Sequence, residues 1–317
     1  MLTRLDSAQL SYFNQRLGEV KAGVLEQRYE ALRGRQIVPT SSLQIDPLMS
    51  SVSFDIVDSQ ASEPTLISQG DYGKPSEVSV SASQDNFLFK GWALAYSYGY
   101  DEIAMAQKYG LPLDTVRANA VRRKLEAQID DICATGHSQA NLKGLYNQVT
   151  SGTGIALTTT SDSYGTLAAA GGMTAAEIAD DVTRWVLGVV ETSKDTLTRG
   201  RLVIPTANYR LMQVSYVTRG STALTVLEDI AKQCGDVIES IVPWVKGQGV
   251  GASSRNRMAF FSTTDNAVAL WQSREITQTD PIDVPDQMRQ KVIMHHKTAG
   301  VRVLEGPMLA YRDILAP

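Results

Sequence analysis

The stretch LPLDTVRANAVRRKLEAQIDDICATG, residues 111–136, decides the architecture. Ala118, Val121, Leu125, Ile129 and Ile132 recur three or four residues apart, so they share one face of a helix. Asp114 is a good N-cap, Leu113 and Ala118 stand at the matching staple positions, and Gly136 suits the position just past the last turn. The spacing predicts a helix over residues 115–135, roughly 30 Å long at about 1.5 Å per residue. Arg117, Arg122, Arg123 and Lys124 decorate its first half, and Glu126, Asp130 and Asp131 its second. That order opposes the helix dipole, so the charges serve a solvated face or contacts outside the helix.

Upstream of it, DNFLFKGWALAYSYGY (85–100) is rich in aromatics, and Tyr96, Tyr98 and Tyr100 fall on one face of a strand. With Lys90 as the single basic residue in that run, the aromatic stripe reads as core, not as a platform for stacked bases. Residues 50–84 hold two β-like runs, SVSFDIVDSQ and SEVSVSASQ, around the turn-rich PTLISQGDYGKP. They predict a long two-stranded hairpin with its tip at Gly70–Pro75. Such a hairpin is at best marginal alone in water, so it needs another surface. Near the N-terminus Leu10, Phe13, Leu17, Val20 and Val24 form a helical stripe that Gly18 and Gly23 weaken by roughly 1 kcal/mol each. Residues 1–35 carry six basic residues against four acidic ones.

Downstream, residues 149–173 are rich in Ser, Thr and Gly and read as a loop. Thr174 and Glu177 match a capping box ahead of a second long helix, with Ile178, Val182, Trp185, Val186 and Val189 on its apolar face. LVIPTANYR (202–210) reads as a strand running into a turn at Pro205, and 222–234 as a helix. Strands are expected at 237–245, 257–263 and 267–271. A closing meander over 290–312 has a turn at Thr298–Gly300 and a break at Gly306–Pro307. The fold class is α+β.

The chain has 317 residues, 43% hydrophobic and 20% charged, with a formal net charge of −4. At ~150 residues per domain that corresponds to about two domains with cores of their own. No apolar run approaches the ~20 residues that span a bilayer, and the N-terminus has no apolar signal region. Cys133, Cys234, His137, His295 and His296 leave little for a metal site or a disulfide framework, which fits a reduced, cytoplasmic folding compartment. The charge balance argues against a dedicated reader of nucleic-acid sequence.

Enzyme chemistry finds no home in these residues. Gly247, Gly249 and Gly251 follow a strand-like IVPWV, but SSRNRMAFFST after them is no amphipathic helix, so a flexible loop is expected in place of a phosphate cradle. Gly136-His137-Ser138-Gln139-Ala140 is half a nucleophile elbow, without its final glycine and after a helix instead of a strand. His295 and His296 are adjacent, so on a strand they point to opposite faces. Both cysteines read as small buried hydrophobes. No catalytic residue, cofactor or metal is assigned.

The order of elements, together with LPLDTVRANAVRRKLEAQIDDICATG, LKGLYNQ, RLVIPTANYRLMQ, TALTVLEDI and the closing GVRVLEGPMLAYRDIL, resembles the major capsid proteins of tailed bacteriophages, which have the Hong Kong 97 fold. The resemblance spans roughly residues 25–317. It implies an N-terminal arm (1–45) and an E-loop hairpin (46–85). It also implies a peripheral domain (86–202 and 291–317) with 115–135 as its spine helix, and an axial domain (203–290). The shell would be built from pentamers and hexamers of this homo-oligomer, assembled in the host bacterial cytoplasm around double-stranded DNA. A portal would be present, with scaffolding and decoration proteins as further partners, and no membrane.

Leu10, Phe13 and Leu17 of the arm and Ile67, Tyr72 and Lys74 of the hairpin are then the expected subunit contacts. Gly249, Gly251 and Arg255 would lie near the capsomer axis. Arg117, Arg122, Arg123 and Lys124 would meet either packaged DNA, through phosphate charge and without sequence preference, or a neighbouring subunit. The chain starts at Met1 close to the arm, so a scaffolding function is expected from a separate protein or not at all. Covalent cross-linking through Lys74 is not expected, because no partner asparagine stands in an activating environment. Two alternatives are an encapsulin-like compartment, which shares the fold, and an α/β enzyme that binds a nucleotide at residues 247–251.

Overall fold

The computed structural model describes residues 31–42, 45–61, 78–102, 113–151, 153–159, 173–219, 222–264 and 267–315. Leu10, Phe13, Leu17, Ile67, Tyr72 and Lys74, with the expected N-terminal helix and hairpin tip, lie outside them.

A short helix α1 (Gly34–Ile37) leads to β1 (Ser51–Ala61) and β2 (Val78–Leu88). These two strands pair antiparallel from Ser51↔Leu88 to Ala61↔Val78. The hairpin stems are therefore present, and they form a two-stranded sheet of their own. The next strand, β3 (Lys90–Gly99), leads to the long helix α2 (Leu113–Thr135). This helix starts two residues earlier than expected, which places Asp114 in its first turn instead of at its cap. Its inward stripe is the predicted one. Leu125, Ile129 and Ile132 are buried, and Ala118 and Val121 pack with Tyr96, Tyr98, Val292 and Met294. Gly136 ends the helix at φ +72, where a Cβ would stand 2.1 Å from the Leu142 carbonyl oxygen, so no other residue fits that stop.

A four-stranded sheet is built around β12 (Arg289–Val303), which pairs antiparallel with β3, β10 (Val268–Gln278) and β11 (Ile282–Val284). The expected turn at Thr298–Gly300 does not form, and β12 runs through it. Gly300, at φ +77, marks an irregularity in register opposite Trp271. A Cβ at this glycine would approach the Lys143 carbonyl oxygen to 2.6 Å. Here the glycine answers to a close backbone approach, not to a reversal of the chain.

A second, five-stranded sheet has the order β4 (Ala156–Thr159), β13 (Leu309–Ile314), β9 (Asn256–Phe261), β5 (Gly200–Pro205) and β8 (Ile238–Trp244). Helices α3 (Ala175–Thr192), α4 (Thr206–Val214) and α5 (Val226–Cys234) share one core with it. The Thr174–Glu177 capping box forms as predicted, and Thr225 and Glu228 form a second at the start of α5. That second cap is why the helix expected from residue 222 begins at Val226. The four residues before it, Thr222–Thr225, pair as β7 with β6 (Tyr216–Arg219). Pro205 introduces α4 instead of a turn.

The sheets draw their strands from distant parts of the chain. Residues 268–303 belong with β3 and α2, whereas β13 and α3 belong with the five-stranded sheet. The chain crosses between the sheets after β9 and again after β12. Residues 33–42, assigned to the arm by sequence, are part of the body. Ile37 and Val38 are buried beside Ile129, Leu270 and Tyr311, and Thr40 bridges to Leu270.

Candidate subunit-contact surfaces

The four cations of α2 divide. Arg117 is used inside the subunit: it donates to both oxygens of Glu102 at 2.9 and 3.0 Å and to the Ser97 carbonyl at 2.7 Å. Its guanidinium also lies 4.9 Å above the Tyr98 ring centre. The hydrogen bond from Arg117 holds the Glu102 carboxyl below the usual range. Arg122, Arg123 and Lys124 are exposed, and Arg122 pairs with Glu126 one turn on at 3.2 Å. Between the end of β3 and α2 lies a polar cleft of about 460 Å³, lined by Ser97, Tyr100, Glu102, Arg117, Met288 and Arg289.

The hairpin has a fixed root. Phe87 and Phe89 are buried against Trp271, with the Phe87 and Trp271 rings edge to face at 5.7 Å. The Phe89 amide donates to the Ser50 carbonyl at 2.9 Å, and the Lys297 ammonium to the Met49 carbonyl. Leu48, Met49 and Leu88 are exposed beside this root. The base of the N-terminal segment is clamped as well. Asp130 accepts from the Arg33 and Gly34 amides at 3.0 and 2.5 Å, and Arg201 donates to the Gln36 and Ile37 carbonyls at 2.7 Å each. One end of α1 thus meets an anion and the other a cation, in the sense the dipole favours. Sequence reasoning placed Asp130 on the solvated side of the long helix, but it is 2% exposed. The one signal was its position three residues before the buried Cys133.

The 247–256 loop is pinned, not flexible. Gly249 N donates to Asn256 Oδ1 at 3.1 Å, Gly251 N to the Arg255 carbonyl at 2.8 Å, and Ala252 N to Asp313 Oδ2 at 2.9 Å. A Cβ on Gly251 would stand 2.7 Å from the Asp313 carboxyl. The amides a phosphate would need are taken by the protein's own oxygens, and a strand follows where a helix would be required. Asp313 in turn forms a two-pronged pair with Arg257 at 2.6 and 2.8 Å, an interaction unread in the sequence because the partners lie 56 residues apart.

His137 sits in a tight turn against Leu142, and Cys133 is buried, its thiol pushed up to about 12 by desolvation. Among the described residues no group of three or more His, Cys, Asp or Glu could hold a metal ion. His295 meets Arg274 at 2.6 Å, while His296 is buried and stacks on Trp92 at 5.4 Å. Burial lowers the His296 pKa to about 4, helped by the nearby charges of Arg35 and His295. The folded state thus holds His296 neutral, while the unfolded chain takes up a proton near the ordinary value of 6.5. Stability from this group is full above about 6.5 and drains as pH falls towards 4, by up to about 3 kcal/mol. Urea titrations from pH 7 to 4 should show this slope in the wild type and its loss in His296→Phe; equal slopes would remove the assignment.

The profile of the major capsid protein family matches residues 73–315. The chain belongs to the major capsid protein family. It is a shell protein, and its place is the capsid. Solved structures agree on the fold. The capsid of Myoviridae phage XM1 superposes with a TM-score of 0.76 at 14% identity, covering 95% of this chain and 98% of the other. The capsid of a native GTA particle gives 0.64 at 10% identity, over 93% and 94%. A virus-like particle from Pyrococcus furiosus gives 0.52 at 12% identity, over 95% and 99%. No curated protein matches this capsid protein. Among the described residues, no helix of the capsid protein is long and apolar enough to cross a membrane.

Proposed function

We propose that this capsid protein builds pentamers and hexamers that close into an icosahedral head around double-stranded DNA, with the hairpin laid over a neighbouring subunit. The observation that carries this reading is the hairpin itself. Its root is locked into the body by Phe87, Phe89 and Trp271, while among the described residues β1 and β2 join no other sheet. A two-stranded sheet of this kind gains burial only from a partner, and mass action in a closed assembly supplies it.

In this reading α2 and the four-stranded sheet are the peripheral half, and the five-stranded sheet with α3, α4 and α5 is the axial half. Gly249, Gly251 and Arg255 belong to a loop braced by Asn256, Asp313 and its own backbone, and in this reading that braced loop lies near the capsomer axis. DNA contact is electrostatic and without sequence preference, and a portal and scaffolding or decoration proteins complete the head.

Deleting residues 66–78 should leave the subunit folded, with an unchanged circular dichroism spectrum and melting midpoint, and abolish shells in electron micrographs. Loss of subunit folding would return the hairpin to the core and overturn the reading.

A further inference from the structure

One side of the β3 backbone is open. In an antiparallel pair, alternate residues turn both N–H and C=O towards the neighbouring strand, and the residues between turn both away. β3 pairs with β12 in unbroken register, and among the described residues it joins no other strand. The Ser97 carbonyl accepts from Arg117 at 2.7 Å and the Gly99 amide donates to Glu102 at 3.3 Å, so the odd-numbered residues of β3 face away from β12. Ile293, opposite Ala95, obeys the same alternation: its amide and carbonyl both bond to Thr279, on the far side of β12. Gly91, Ala93 and Ala95 therefore present their N–H and C=O groups along a free edge, and all three are exposed. Sheets guard such an edge with Lys, Pro, a bulge or a covering segment. GWALAYSYG (91–99) holds no Lys or Pro and no bulge, and a Cβ built on Gly91 would meet nothing nearer than the His296 carbonyl oxygen at 3.8 Å.

We propose that residues 91–95 of β3 pair antiparallel with the same residues of a second copy of this chain, about a two-fold axis at Ala93. The assignment rests on the shell reading above and names a contact within it. Arg117 and Glu102 occupy the edge at Ser97 and Gly99, which limits the window to 91–95 and so sets its centre. That centre places Gly91 opposite Ala95 and Trp92 opposite Leu94. Small residues then meet on one face and large apolar ones on the other, a self-complementary pattern of the kind a two-fold contact needs. Leu94, 37% exposed, and the half-buried Trp92 gain cover. With no charge in the window, two copies meet without like-charge repulsion. Five residues a side fall far short of the roughly 20–30 of a stable interface, so the contact closes only where other contacts of an assembly hold the copies together.

Cysteine cross-linking reads the register. Both native cysteines are buried. Opposed residues of a bonded pair stand about 5.5 Å apart at Cα, inside the ~4.4–6.8 Å that a disulfide spans. Mild oxidation of Ala93→Cys shells should give disulfide dimers on a non-reducing gel, at least about tenfold above Ala95→Cys, whose two copies stand about 14 Å apart in this register. Ala93→Lys and Ala93→Glu should each fold, by circular dichroism, and each lower shell yield several-fold in electron micrographs. Mixing the two should recover most of the yield, because a two-fold contact sets one against the other. The assignment is overturned if A93C shells give no dimers, if A95C cross-links equally, or if A93K and A93E assemble like wild type. Loss in both without recovery on mixing would give the edge to a strand of another sequence and overturn it as well. A wild type that forms no shells strikes the shell reading, and this contact with it.

Discussion

Replacing Asp313 with alanine should cost the subunit about 3–5 kcal/mol, the range for removing one partner of a buried ion pair. The Asp313 side chain is 0% exposed and Arg257 11%. Asp313 Oδ1 and Oδ2 accept from Arg257 Nε and Nη2, and Oδ2 also accepts the Ala252 amide. Arg257 further donates to the Tyr146 carbonyl at 2.7 Å and stacks over Tyr311 at 4.8 Å. Its hydrogen bond to Asp313 raises the guanidinium pKa above the ordinary value; the substitution removes that support, but a guanidinium is basic enough to stay charged without it, now with no counterion. The 247–256 loop loses its tether at the same stroke. Urea midpoints should separate D313A from a double change, Arg257→Met with Asp313→Leu, which removes both charges and should recover much of the loss. A D313A midpoint within about 1 kcal/mol of wild type would show that the pair is solvated and not structural.

The second large effect is expected at Trp271. Its side chain is 0% exposed and packs with Phe87, Phe89, Ala269 and Ala299. Trp271→Ala should cost about 3–5 kcal/mol, through lost burial and the cavity left behind. The damage should not stop at stability. This cluster holds the hairpin root, where Arg302 also lies 4.6 Å above the Phe87 ring centre. Phe87→Ala separates the two roles: it leaves Trp271 in place and loosens the root. Shell yield should therefore fall more steeply than subunit stability in Phe87→Ala, as measured by electron microscopy beside urea melts. Proportionate losses in both would make the cluster ordinary core.

Much of this was legible in the sequence where a single periodic element carried the information. The long helix, its inward stripe, the Thr174–Glu177 cap and the pairing of the two hairpin stems follow from local spacing. What was not legible depends on contacts between distant segments. The Arg33–Ser42 strap has no periodicity, and its burial comes from α2, β10 and the Asp130 carboxylate. Gly300 looked like a turn because a glycine after Thr and Ala usually is one, whereas its reason lies at Lys143. The charge run on α2 was read as one patch of four, but only the structure could remove Arg117 from it, through Glu102. The glycines at 247–251 were read as a loop, yet nothing local told that Asp313 holds them down.

One core carries a mechanical consequence. Ile129 and Cys133 of α2, Val268, Leu270 and Val301 of the four-stranded sheet, and Val203, Phe261 and Tyr311 of the five-stranded sheet belong to a single buried cluster. Both sheets are walls of the same interior, joined through shared buried side chains. Close-packed interiors of this kind are stiff and pass strain onward. A container wall made of such tiles carries a push from within through each tile as a rigid plate. Its give is then confined to the joints between plates.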